Sequence, residues 1–420
     1  MEEIIAWAAR AAGGEIIRSF KASGGNRRQS LGLDVRLPDG SEQALFVRHD
    51  PRERIEGIEP YTIAREAEVY RAIAPLGLKA PRYIAENPEL RAVLTDRAKG
   101  IAEFRHLKDP VAKQAIAHEF MDNLARLHAA REVSLDGGLS GRIADHVARD
   151  VALWQAMYEE VGKPDPLIEL AFRWLHDNLP DPDGSPVIVH GDAGPGNFMF
   201  DDGHLTTLID WEFCHLGDPM DDLAWFSMRC VMEPVPDFRA ALAHYEAAGG
   251  QKIDRARLLY HRVLVSARVC VIRHRNFAGE PAYAIVSRGL NRRLLIEALA
   301  AASRVVVPTP LPVDAAETER QWLYDRVIAQ FGEIVIPRSS DSQVIAVAKN
   351  NAKVVKYLKA IDRYGSAIAA ARAEALARLG PLDRLPFEQA LAWFAQDTLW
   401  EAQLSAEASG SIARRHYDEI

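Results

Sequence analysis

Cysteine is scarce in this 420-residue chain: Cys214, Cys230 and Cys270 are the only three, and no two stand in a C-x-x-C spacing. A disulfide framework and a thiolate zinc site are therefore excluded, and a reducing, cytoplasmic setting is expected. Long apolar runs are also missing. Leu294–Val307 is interrupted by Glu297 and Arg304, so no membrane span is expected, and Met1-Glu2-Glu3 is acidic where an export signal would be basic. Positive charge is not in excess either, with 51 Lys and Arg against 59 Asp and Glu and a net charge of −8. That balance argues against nucleic acid or an anionic membrane as the partner. Neither G-x-x-x-x-G-K-[ST] nor G-x-S-x-G nor H-E-x-x-H occurs, which removes P-loop NTPases, the common serine hydrolases and zinc proteases of that type. There is no internal repeat and no low-complexity tract.

What is present is an ordinary globular composition, 48% hydrophobic and 26% charged, long enough for two to three domains. A helix is expected over 2–11, then a strand over 15–20, ended by the basic turn Ser23-Gly24-Gly25-Asn26-Arg27-Arg28. Leu31, Leu33, Val35 and Leu37 alternate with polar or small residues, the period of a half-buried strand, and Ala44–Arg48 follows after a Pro-Asp-Gly turn. Residues 61–74 have helical spacing, and a further strand is expected over 91–95. Helices are expected over 111–131, 143–178 and most of 219–303, with a short buried strand at 187–189. Pro308-Thr309-Pro310-Leu311-Pro312 reads as an extended linker. The expected organisation is α+β: a nucleotide-binding lobe at 1–100, a helical lobe at 101–307 and a small helical domain at 313–420.

The chemistry is concentrated around His190-Gly191-Asp192, Asn197 and Asp210. Residues 197–200 and 205–209 are apolar and flank Asp201-Asp202-Gly203-His204, a hairpin signal, so Asn197 and Asp210 should meet at one end of two paired strands. A carboxylate beside a carboxamide oxygen is the hard ligation that Mg²⁺ takes when nucleotide phosphates complete its shell. Asp192, on the loop before the hairpin, can approach the same point. One Asp as proton acceptor, an Asn five residues later and a second Asp reproduce the phosphoryl-transfer arrangement.

On these residues the chain resembles the aminoglycoside phosphotransferase and choline kinase-like superfamily, across roughly 10–300. Val187–Phe200, Leu208–Glu212 and Gly217–Ala224 match its catalytic, metal-binding and following-helix motifs in order. Within it, the chain is most similar to the branch related to the kinase-like part of acyl-CoA dehydrogenase fusions. The resemblance implies a bilobed protein-kinase-like fold with an antiparallel-sheet lobe and a mainly helical lobe, ATP and Mg²⁺ as cofactors, and a hydroxyl of a small molecule as acceptor. Carried over, Asp192 is the catalytic base, Asn197 and Asp210 the metal ligands, Gly24, Gly25 and Asn26 part of the loop over the phosphates, and Thr95 and Arg97 the neighbourhood of the adenine. Arg48 stands where most kinase-like folds have lysine; it stays charged and can grip phosphate bidentately. Of Glu66 and Glu68, only Glu66 falls on the apolar stripe between Ile63 and Tyr70, so it is assigned as the partner of Arg48.

His190 is expected to hold the loop through hydrogen bonds, Asp222 to steady it, and Asp218 to cap a helix beginning at Pro219. Glu212 reads equally as a metal neighbour or a turn acid. Between Arg255 and Arg293 nine arginines stand against the single acid Glu280, and His261, Arg268 and Arg275 recur every seven residues. This gives Arg268 and Arg275 as candidate substrate residues for an anionic acceptor, a hydroxyacyl-CoA in particular. The alternatives are a kinase-like scaffold without turnover and an aminoglycoside or amino-alcohol kinase. A homo-oligomer is compatible with all of these.

Overall fold

The computed structural model describes residues 1–22, 28–51, 58–131, 135, 138–275 and 282–420. Helix α1 (Glu2–Ala12) opens the chain and ends at Gly13, whose φ of 69° lets its N–H close the last turn. Strands β1 (Glu15–Lys21), β2 (Gln29–Arg36) and β3 (Glu42–His49) follow, then α2 (Ile63–Ile73), β4 (Tyr83–Asn87) and β5 (Ala92–Asp96). They form one antiparallel sheet in the order β1-β2-β3-β5-β4. The alternation in β2 does what its period requires. Leu31, Leu33 and Val35 turn to one face and pack with Leu45, Val47, Leu94 and the α1 residues Ile4, Trp7 and Ala8. The opposite face carries Arg48, which lies opposite Ser30 in β2 and Val93 in β5.

Sequence reading missed β4, a five-residue edge strand whose residues are all half-buried, so no alternation marks it. The helical part contains α3 (Pro110–Ala129) and α4 (Ile143–Glu159), then α5 (Pro166–Asp177). The single helix expected over 143–178 is in fact two. Gly162 takes φ 67°, and Asp165 caps α5 ahead of Pro166 at its first position. Strand β6 (Val187–Val189) pairs with β9 (His215–Gly217), and β7 (Phe198–Asp201) pairs with β8 (His204–Leu208). The β7–β8 turn has positive φ at both Asp202 and Gly203, the geometry Asp-Gly favours. Helices α6 (Pro219–Met232), α7 (Phe238–Ala247) and α8 (Arg255–Arg275) follow, then α9 (Arg288–Ser303), α10 (Gln321–Gln330), α11 (Ser342–Leu379) and α12 (Phe387–Ser409).

Two compact units result: Met1–Glu160 with Leu179–Arg262 and Asp418–Ile420, and Val161–Asn178 with Val263–Tyr417. These cuts do not coincide with the boundaries expected at 100 and 307–313. In the second unit, α9 and α12 approach closely enough that a Cβ on Gly289 would lie 3.1 Å from the Ala402 nitrogen. The proline segment is extended as expected but is not a loose linker. Gln396 binds both backbone groups of Leu311, at 2.9 and 2.7 Å, and Gln403 does the same for Val313, at 3.0 and 2.6 Å. Proline-interrupted backbone cannot pair as a ladder, and the α12 amides take up the remaining groups.

Candidate active site

The loop from β6 to β7 is tied down from beneath. The N–H groups of His190 and Gly191 donate to the two oxygens of Asp222 at 2.7 and 2.9 Å, and His128 lies 3.0 Å from the same carboxylate. Gly191 has φ 80°, and a Cβ there would fall 2.1 Å from the Phe213 carbonyl oxygen, so glycine alone fits. The carbonyl of Ile209 can only accept, so His190 must donate to it from Nε2, at 3.0 Å. Its Nδ1 then accepts the Asp192 N–H at 3.3 Å. The imidazole thus fastens the loop to the end of β8.

Asn197 donates its amide N–H to the Asp192 carbonyl at 2.8 Å, and the Ile209 N–H donates to the Asn197 carbonyl at 3.0 Å. The hairpin ends therefore meet, with Asp210 one residue on in a left-handed conformation, φ 66° and ψ 56°. Such backbone is costly for a non-glycine residue and is held by its surroundings. The Asp210 side chain keeps 36% exposure. Asn197 Oδ1 and the Asp210 carboxylate are hard oxygen donors of the kind a small divalent cation takes, and the residues fit Mg²⁺.

Above this point Arg48 reaches three acids: Glu66 at 3.0 Å, Asp210 at 2.8 Å and Glu212 at 3.3 Å. Glu66, with no side-chain exposure, also accepts from Arg28, which in turn lies 3.3 Å from Glu212. Glu68 points the other way, 39% exposed beside Arg65. Below, Arg229 of α6 clasps Asp192, Nε on Oδ1 at 2.8 Å and Nη2 on Oδ2.

These contacts set the charges. Burial pushes the Asp192 carboxyl up, with Arg229 opposing. Burial acts the same way on Asp210, but the Arg48 guanidinium, helped by Arg229, outweighs it and holds that carboxyl below its usual range. Burial and the neighbouring Asp210 charge raise Glu212 to about 7, against Arg28 and Arg48.

Gly24, Gly25 and Asn26 lie outside the described residues. Thr95 is buried in β5 and Arg97 pairs with Asp34 at 2.7 Å. The free backbone groups expected for adenine near Thr95–Ala98 are partly used. Asp96 donates its N–H to Arg82 and Arg97 donates its N–H to Ala44, each at 3.0 Å. Arg268 and Arg275 belong to the second unit, where Arg268 is 2% exposed and Arg275 half-buried. His261, which heads their stripe, is in the first unit and turned inward, 3.4 Å from both Asp218 and Asp221. Asp218 caps α6 through the Met220 N–H at 2.9 Å and also takes Arg257 at 2.9 Å.

Burial opposes the His261 charge, but the Asp218 and Asp221 carboxylates, each 3.4 Å away, prevail and raise it to about 9 from 6.5. The folded protein holds this proton more tightly, so the stabilisation is complete below about 6.5 and lost as pH rises through about 9. Urea unfolding at pH 6 and pH 10 should show wild type losing about 3 kcal/mol more than His261→Gln. An equal loss in both would refute the pairing.

Sequence reasoning missed Arg229 and the pairing of Arg28. The signal for the first was available: Arg229 follows Asp222 by seven residues, two helical turns, so both present themselves to the same loop.

Three comparisons bear on this arrangement. The family model described as "Phosphotransferase enzyme family" matches residues 33–259, more than half the chain. Acyl-CoA dehydrogenase family member 11 from Homo sapiens is 29% identical over 180 residues, 40% of this chain and 23% of that protein. The Rattus norvegicus protein of the same name is 26% identical over 210 residues, and the chain covers 26% of it. The chain thus spans about a quarter of the length of these curated relatives. Among solved structures, a putative aminoglycoside phosphotransferase from Ralstonia eutropha superposes with a TM-score of 0.51 at 19% identity, over 72% of this chain and 94% of its own. A putative fructosamine-3-kinase from Thermobifida fusca gives 0.51 and 19%, over 72% and 99%. At that identity the likeness speaks for the fold, the bilobed α+β architecture of sheet lobe and helical lobe. No helix among the described residues is long and apolar enough to cross a membrane. With a family match running from β2 into α8 and through every acid of the site, the chain belongs to the phosphotransferase enzyme family.

Proposed function

We propose that this enzyme transfers the terminal phosphoryl group of ATP, with Mg²⁺, to the hydroxyl of an anionic small molecule, in the first instance a hydroxyacyl-CoA. The observation that carries the phosphotransfer is the convergence of Asp192, Asn197 and Asp210 on one end of the β7–β8 hairpin. Asp192 takes the proton of the acceptor hydroxyl. Asn197 and Asp210 would hold Mg²⁺, whose charge would offset that of the phosphates. Arg48, fixed by Glu66, grips phosphate oxygens from the sheet side. Gly24, Gly25 and Asn26 would cover the phosphates, with the adenine near Thr95 and Arg97.

The finer acceptor reading rests on likeness to proteins named for acyl-CoA. The two intact acids and the amide argue against a scaffold without turnover. Mg²⁺-ATP should be consumed with a hydroxyacyl-CoA and not with kanamycin-like amines. The assay is ADP release across a panel of hydroxyacyl-CoAs, amino alcohols and sugars. Efficient turnover of the amines, with none of any anionic alcohol, would overturn the acceptor class.

A further inference from the structure

Asp192 is not presented to a substrate as a bare carboxylate, since both its oxygens are held by Arg229. Two further observations concern that arginine. The backbone between Asp192 and Asn197 is shaped around it. Gly194 has φ 137°, and a Cβ there would lie 2.7 Å from the Arg229 Cβ and 3.1 Å from its Cγ; Gly196 has φ 94°, with Arg229 Nη1 at 3.5 Å from where its Cβ would be. Second, the side chain keeps 28% exposure, and among the described residues Nη1 has no hydrogen-bond partner.

A guanidinium used only to orient Asp192 would not need its outer nitrogen open beside the loop. We infer that Arg229 is a catalytic residue whose Nη1 contacts the equatorial oxygens of the phosphoryl group in flight, an arginine supplied by the α6 helix of the same chain. This rests on the kinase reading above. In the step, the acceptor O–H gives its proton to Asp192 and the acceptor oxygen bonds to the terminal phosphorus. The bond from that phosphorus to the bridging oxygen breaks, and its electron pair leaves on the nucleoside diphosphate. Negative charge spreads over the equatorial oxygens at mid-transfer, which is when a fixed cation there gains most.

The probes are Mg²⁺-ADP and Mg²⁺-ADP with aluminium fluoride, a mimic of the planar phosphoryl group, titrated by calorimetry. Arg229→Gln should lose about 10²-fold in affinity for the fluoroaluminate complex while its Mg²⁺-ADP affinity stays within about 3-fold, and Arg229→Lys should recover part of the loss. Gly194→Ala, which pushes the arginine stem aside, should reproduce the selective loss. The same substitution in an Asp192→Asn background separates contact from orientation. If the fluoroaluminate-specific loss persists there, the arginine meets the phosphoryl group itself. If the loss vanishes in that background, is equal for both probes, or is absent in Arg229→Gln, the inference is wrong. Wild-type protein that binds neither probe would overturn the kinase reading, and this inference with it.

Discussion

Asp192→Asn is expected to abolish phosphoryl transfer while Mg²⁺-ATP still binds with near wild-type affinity. The substitution keeps the size of the side chain and removes the carboxylate that, in the proposed function, accepts the hydroxyl proton. Loss of a general base costs about 10²–10⁴ in rate. Nucleotide binding should survive because the phosphate and metal contacts are proposed to come from elsewhere, from Arg48, Asn197 and Asp210. Asn197 reaches Asp192 through the backbone carbonyl, at 2.8 Å, and that contact does not depend on the carboxylate. Rapid-quench measurement of a single turnover, with calorimetry of Mg²⁺-ATP alongside, tests both halves. Full single-turnover rate in the variant would show that the proton goes elsewhere.

How much of this site was legible in the sequence depends on whether a residue's partner is set by local geometry. Asn197 and Asp210 were, because an Asp-Gly turn between two apolar runs fixes a hairpin, and a hairpin fixes which ends meet. Glu66 was legible too, since 100° per residue separates it from Glu68 without reference to the rest of the molecule. Arg28 was not, because its acid lies 38 residues away in sequence, on another element; for Arg229 the spacing from Asp222 marks the face, but its partner Asp192, 37 residues away, is not set by that helix. Nor is the short strand β9 visible without β6 beside it. The arginine-rich run shows the opposite failure. Its seven-residue recurrence is real, yet His261 points to Asp218 and Asp221 because those buried acids of α6 require a cation. Periodicity finds a shared face but does not say what that face meets.

Glu66→Ala is expected to cost about 3–5 kcal/mol of stability, the typical effect of removing one member of a buried ion cluster. The side chain is fully buried, with Arg28 on one oxygen, Arg48 at 3.0 Å on the other, and the Tyr70 hydroxyl donating at 3.3 Å. Its loss leaves two guanidinium groups, 3% and 13% exposed, with Asp210 and Glu212 as the remaining acids paired to them among the described residues. Those acids belong to the segment after β8 and not to α2, so the freed arginines should be drawn toward Asp210. Arg48 would then no longer be held in place for phosphate, and Mg²⁺-ATP affinity should fall together with stability. Glu66→Gln keeps hydrogen bonding to one arginine without the charge and should fall between Ala and wild type. Glu68→Ala is the control on the same helix: its 3.0 Å contact with Arg65 is a partly exposed i,i−3 pair, where about 0.5 kcal/mol or less is expected. Chemical denaturation of the three variants decides the matter. If Glu66→Ala unfolds at the same urea concentration as Glu68→Ala, the buried carboxylate does not hold the two arginines in place.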